Sequence, residues 1–436
     1  MPSSTGSAQP RAVTGARRAG VALRHRNFRL FFAGQLISLI GTWMQSLAQG
    51  WLVLQLTHDP FVLGVISAVQ FLPVMLFGLF GGLIADALPK RTTIIGTQTA
   101  SMLLALALFW LTWTHQVQAW QVGLLALLLG VVNTVDNPTR QAFVVEMVGR
   151  DDVVNAVALN SAVFNTARIV GPALAGIIIG LVGIASCFFL NGISYIAVII
   201  GLFAMRTSEL HGRSRYQLQH RVGAVVEDLA EGLRYVRATP VVLLAVAVVG
   251  LVSTLGMNLN VLVPVYSADV LRTGATGFGF LMAATGLGAL VAAVAIAFVG
   301  RSSPRVMLVG AGLLGALQAV LLVVHAMPIA LACLFGVGFG SIAMSATANT
   351  SIQLAVPDDL RGRVLSVYTT VFAGSTPIGA LFAGTLASQF GSAVSFAAGG
   401  LSSLAVAVIA FLYARPWLAR RAAGAGSADP GGSAPA

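Results

Sequence analysis

LLALLLGVVNTVDNPTRQAFVVEMV (residues 124–148), followed by GRDDVVNAVALNSAVFNTARIVGPALAG (149–176), is two apolar helical stretches joined by a short charged turn. Asp136, Arg140 and Arg168 lie inside those stretches. An ionisable side chain at membrane depth costs about 2.5–3.5 kcal/mol on insertion scales, so such residues face a cavity or a partner. The pattern predicts that Asp136 meets Arg168 across the two helices, in the interior of a membrane-embedded bundle. Whether the pair titrates or is a static ion pair stays open.

The composition outside this stretch agrees. Of 436 residues 57% are hydrophobic and only 9% charged, with a mean hydropathy of +0.88, which is the balance of a polytopic membrane protein. The net charge of +11 would suit nucleic acid only if the basic residues formed a patch. They fall instead in the N-terminal tail, in alternate loops and near the C-terminus, with Arg272 as the exception. That is the positive-inside pattern, and it predicts both termini in the cytoplasm of a cell-membrane protein. Cys187 and Cys333 sit in separate apolar stretches and all six histidines fall in loops or the tail, so neither a disulfide framework nor a metal site is expected. The first apolar stretch is too long for a cleavable signal peptide and lacks a small-residue cleavage site.

A bilayer crossing needs about 20 apolar residues. Cutting the chain at its charges and turn signals gives twelve: residues 28–56, 61–85, 92–113, 119–142, 153–182, 184–205, 241–266, 276–299, 306–324, 328–354, 364–389 and 392–413. The fold expected is an all-α membrane protein with twelve transmembrane helices in two six-helix bundles, 27–206 and 241–414. Tails 1–26 and 415–436 are expected to be disordered. The linker 207–240 places Val222, Val225, Val226, Leu229, Leu233 and Val236 at helical spacing against Glu227, Asp228, Glu231 and Arg234. This predicts an amphipathic helix, on the membrane surface or packed on the protein.

The halves repeat. At a spacing of 208 residues Phe188 matches Phe396, Ser194 matches Ser402, Gly171 and Gly176 match Gly379 and Gly384, and the turn 148–151 matches 356–359. Repeat-built transporters bind substrate between their halves. Asp136, Arg140 and Arg168 have no counterparts at Met344, Ala348 and Thr376, so charge-dependent chemistry belongs to the first half.

Gln35, Ser38, Thr42, Gln45 and Gln49 recur at three- and four-residue spacing on one face of the first span. A polar stripe does not face lipid, so it lines a cavity or another helix, and a cavity is expected. Asn165 and Asn258 extend that lining, and Trp43, near mid-span, is a candidate wall for an aromatic substrate.

Gly82-Leu83-Ile84-Ala85-Asp86-Ala87-Leu88-Pro89-Lys90-Arg91 follows the second span. It resembles the cytoplasmic signature G-x-L-A-D-R-x-G-R-K/R of the major facilitator superfamily, with Ala87 in place of Arg and Pro89 in place of Gly. The resemblance implies a latch formed by Gly82, Asp86, Lys90 and Arg91, with Arg91 as the basic partner of Asp86. Gly171, Pro172 and Gly176 resemble the glycine-proline signature of the family's drug–proton antiporters. Asp136 to Phe143 and Glu231 to Arg237 resemble the branch containing bacterial siderophore and drug exporters. Taken together, these resemblances imply a secondary transporter that exports a small amphipathic molecule in exchange for protons; the charges at membrane depth, Asp136 with Arg168 or Arg140, are the residues expected to carry the coupling. Import or facilitated exchange is the alternative.

Partners are then a small-molecule substrate, protons and the bilayer, with no nucleic acid, and a monomer suffices because both halves are in one chain. No cofactor is expected: Lys90, the only lysine, lies in no phosphate loop, and Gly310 to Gly315 fits G-x-G-x-x-G inside an apolar span, without the strand such a fingerprint needs. Absence of a metal-spaced His/Asp set argues against an enzyme.

Overall fold

A computed structural model describes residues 20–211, 222–299 and 303–426, and within these leaves out the side chains of Leu79, Asp86, residues 222–226, Val299 and residues 416–426. Among the described residues the chain is helical throughout, with ten helices long and apolar enough to cross a membrane. Ala119–Leu181 is one of these and makes two crossings, because Gly149, at φ 73° and ψ 179°, breaks it into two arms. The expected charged turn between the fourth and fifth spans is thus reduced to one residue, and left-handed backbone there suits glycine. Pro304–Val320 is shorter and supplies the ninth crossing. The end of that span is completed by Tyr266, whose hydroxyl donates to the carbonyls of Leu321 (3.0 Å) and Val324 (2.5 Å). Twelve crossings in two six-helix bundles result. Short connections force neighbouring spans antiparallel and gather Lys90, Glu146, Asp152 and Arg206 at one end of the molecule, the charged end.

The repeat is visible in packing. Gly171 of the fifth span lies against the first, where an added Cβ would come within 2.6 Å of the Trp43 Cβ, and its match Gly379 of the eleventh lies against Asn258 of the seventh, at 2.5 Å from Oδ1. Gly176 crosses Gly279 of the eighth span, and its match Gly384 crosses Gly64 of the second. These last two crossings join the bundles, and both lie near the end opposite the charged one. Gly183 (φ 101°) and Gly391 (φ 86°), again 208 residues apart, make the turns that follow. Phe188 and Phe396 are both fully buried.

The Gly310–Gly315 segment is helix packing: Gly310 meets the tenth span at Gly340 and Gly315 meets the twelfth at Gly400. Of the tails, residues 1–19 and 427–436 lie outside the described residues. Two stretches expected to be disordered are not. Val21–Arg24 is a 3-10 turn anchored by the Ala22 N–H on Asn155 Oδ1 at 3.0 Å, and the last helix, Ser392–Gly426, runs past residue 415.

The linker helix Val222–Ala238 packs against the eleventh and seventh spans. Residues 212–221 and the side chains of Val222, Val225 and Val226 lie outside the described set. Val236 is buried, and Leu229 packs against the main core. An added Cβ at Gly232 would stand 2.6 Å from the Arg363 carbonyl oxygen. Arg363 Nε pairs with Asp228 Oδ1 at 2.7 Å, and its Nη1 pairs with Glu231.

Candidate functional site

Asp136 is 1% exposed and pairs with Arg140, the nearer of its two candidate partners, rather than with Arg168 across the two helices. Arg140 Nη2, one turn along the same helix, holds Asp136 Oδ2 at 2.6 Å. Oδ1 accepts from the Thr97 hydroxyl at 2.5 Å and from Gln98 Nε2 at 3.1 Å, both on the third span. Arg140 Nη1 in turn donates to Gln35 Oε1 of the first span at 2.9 Å. A charge-assisted cluster therefore ties three spans together inside the first bundle.

Arg168 stands apart from this cluster. Seventeen residues beyond Asp151 in a helix, it lies about 25 Å from the charged end at 1.5 Å per residue, at mid-depth. Its backbone abuts Gly286 of the eighth span. Arg168 lines a cavity of about 120 Å³ between the bundles, where the first half contributes Trp43 and Arg168 and the second contributes Met257, Asn260, Met282, Thr285 and Ser341, among others. Trp43 is fixed by an edge contact with Phe164 at 5.6 Å. The seventh span breaks beside this cavity, between Gly256 and Leu259, and Gln318 Nε2 satisfies the freed Gly256 carbonyl at 2.5 Å. Broken backbone at membrane depth survives where protein groups satisfy it or a cavity is lined.

The polar stripe of the first span faces its neighbours rather than this cavity. Gln35 takes Arg140; Ser38 is buried; Thr42 donates to its own helix at Ser38; Gln45 Oε1 accepts from Asn191 Nδ2 at 2.6 Å. Gln49 donates to Gln70, and with Ser46, Gly50 and Asn260 it lines a second, smaller cavity of about 40 Å³. The first-span residue that lines the larger cavity is Trp43, next to Thr42 in the chain and about 100° further round the helix. Asn165 and Asn258 bond back to carbonyls of their own helices, at Ser161 and Thr254, and neither lines the larger cavity. Sequence reasoning missed Asn260, Thr285 and Ser341; a helix break beside a polar residue is the signal that marks Asn260.

At the charged end, Lys90 Nζ pairs with Glu146 Oε1 at 2.8 Å, and Arg91 Nε donates to the Leu202 carbonyl at 2.8 Å, capping the sixth span. The Asp86 side chain, the expected partner of Arg91, lies outside the described set. The glycine that permits close helix approach is Gly81, packed on Thr134, whereas nothing lies within 4 Å of a Cβ added at Gly82. In the antiporter-like stretch, Gly171 serves the contact with the first span, and the Pro172 carbonyl with Gly176 serves the contact with Gly279.

The family model described as transmembrane secretion effector matches residues 19–425. The chain is 25% identical to the staphyloferrin A transporter of Staphylococcus aureus, covering 89% of this chain and 96% of that one. It is 29% identical to the multidrug efflux pump Tap of Mycolicibacterium fortuitum (86% and 92%), and 24% identical to the enterobactin exporter EntS of Shigella boydii (89% and 92%). Among solved structures, a peptide transporter of the POT family superposes with a TM-score of 0.71 at 13% identity, covering 90% of this chain and 95% of that one.

Proposed function

The chain belongs to the transmembrane secretion effector family of the major facilitator superfamily, and we propose that it exports a small amphipathic molecule across the cell membrane by alternating access, driven by protons. The observation that carries this is the cavity lined by both halves at mid-depth, beside seams made largely of glycine backbone. Such seams are van der Waals contacts that can part and re-form, with Thr276 Oγ1 to the Gly176 carbonyl (3.0 Å) as a hydrogen bond across one of them. With the charged end in the cytoplasm by the positive-inside pattern, the glycine crossings close the outer side. Siderophore- and drug-handling relatives support an amphipathic substrate and the outward direction.

Asp136 is the coupling group in this reading. Protonation removes its charge, releases Arg140 and loosens the joint between the first, third and fourth spans. One proton supplies about 2.3 kcal/mol per 100 mV and about 1.4 kcal/mol per pH unit. At 100 mV and one pH unit, that bounds the gradient of a neutral solute at roughly several hundredfold.

The bonds to Arg140, Thr97 and Gln98 also favour a second reading, in which Asp136 is a static structural anion. Everted vesicles with an acidified lumen decide between the two. Lumenal proton loss triggered by a siderophore, dye or antibiotic, and absent in Asp136→Asn, supports coupling there; proton loss retained in that variant assigns Asp136 to structure.

A further inference from the structure

We infer that the cavity between the bundles is an anion site, with the Arg168 guanidinium as the group that selects a carboxylate or similarly charged oxygen acid carried on an aromatic or apolar body. The inference rests on reading this cavity as the transport site and names the substrate class it takes.

Three observations converge on it. First, Arg168 is a permanent cation at mid-depth, and among the described residues it has neither an ion pair nor a hydrogen bond; Asp136, the carboxylate expected to meet it, is committed to Arg140, Thr97 and Gln98. A partly buried cation without a counter-ion leaves its desolvation uncompensated, and an incoming anion removes that penalty. Second, the lining contains no acidic residue: beside Arg168 the polar groups are Asn260, Thr285 and Ser341. Asn260 is itself unbonded among the described residues, and its amide can donate a second hydrogen bond to an oxygen acid. Third, the remaining walls are apolar: Leu259, Leu314 and Val337 stand with Trp43, Met257 and Met282, the last three presenting flat or adaptable surface to a ring. The cavity's volume of about 120 Å³ falls short of the roughly 300–1,000 Å³ of a complete ligand site. It therefore receives the charged ring of a larger molecule and leaves the rest outside.

The arrangement also joins binding to the bundles' movement. The Arg168 backbone belongs to the seam with the eighth span at Gly286, and Arg168 lines the same cavity as residues of the second half. An anion held between Arg168 and Asn260 bridges the two bundles directly.

The test is calorimetric titration of the purified full chain with salicylate and with salicylamide, which share a ring and differ in charge. The expected result is a preference of at least about tenfold for the anion, as a charge-assisted contact in a low-dielectric site provides. Arg168→Gln should bring the two affinities within about twofold of each other, and Arg168→Lys should keep a reduced preference, because a point charge replaces a fork. Trp43→Phe should weaken both probes alike. Equal affinities in the unmodified protein, failure of both probes to bind, or a preference that survives Arg168→Gln would each overturn the inference. If Arg168→Gln does not fold, Arg168→Lys carries the decision: an unchanged preference overturns it. Titration needs no gradient. Loss of the export reading in vesicles would leave an anion preference standing, and equal affinities would remove the anion site while leaving export untouched.

Discussion

Asp136 and Arg140 are joined at 2.6 Å within one turn of a single helix, and this leaves Arg168, on the next span, to face the cavity between the bundles. In the proposed mechanism, the coupling group Asp136 and the recognition group Arg168 are thereby held in separate places.

Arg140 is the measure of what Asp136 does. Removing one partner of a buried pair costs about 3–5 kcal/mol, so Arg140→Gln alone should lower the melting temperature in detergent clearly. The double variant Asp136→Asn with Arg140→Gln should recover most of that loss. It should still show no substrate-triggered proton movement in vesicles. Recovery of both stability and proton movement would reduce the pair to a structural element.

If the chain works by the proposed alternating access, the glycine crossings between the bundles should set the balance between its two faces. A Cβ at Gly279 would stand 2.5 Å from the Pro172 carbonyl oxygen, and overpacking of this kind costs about 1–3 kcal/mol. Gly279→Ala should therefore shift the population away from the state closed at this end by roughly five- to a hundredfold. Labelling of a cysteine placed at Ser46, which lines the smaller cavity, by an impermeant reagent added from that side should rise accordingly.

Neighbouring glycines in the signature region should behave oppositely. Gly81→Ala drives a Cβ into the Thr134 backbone, while Gly82→Ala meets nothing within 4 Å. Expression and thermal stability should fall for the first. For the second they should stay within about 0.5 kcal/mol or improve slightly, since alanine is the better helix former.

Arg363 straps the linker helix to the second bundle through Asp228 and Glu231. These side chains are partly exposed, so the network is worth about 1 kcal/mol. Arg363→Ala should raise tryptic cleavage after Arg234 and Arg237 several-fold with little change in the melting temperature of the bundles.

Much of the architecture was legible in the letters because it follows from local rules. A run of about 20 apolar residues must cross a bilayer as a helix, and the 208-residue spacing of Gly171, Gly176 and Phe188 with Gly379, Gly384 and Phe396 reappears as equivalent packing. The Asp136–Arg140 pair was legible too, since residues four apart on a helix are neighbours; the letters left Arg140 and Arg168 both open as partners, and the structure pairs Asp136 with the nearer one. The first-span stripe shows the limit. Periodicity puts Gln35, Ser38 and Gln45 on one face, but it does not say whether a cavity or the fourth and sixth spans lie opposite.

By itself, then, the sequence determined the twelve crossings, the two halves, their short connections and the gathering of charge at one end, since each depends on hydropathy and on spacing along the chain. Tertiary structure alone decided which helix face meets the cavity, that Gly81 and not Gly82 is the contact point, and that Arg168 stands among residues of the second half. Those outcomes depend on how far each helix is turned about its axis. That turn is chosen by the glycine approaches between helices distant in sequence, such as Gly176 with Gly279.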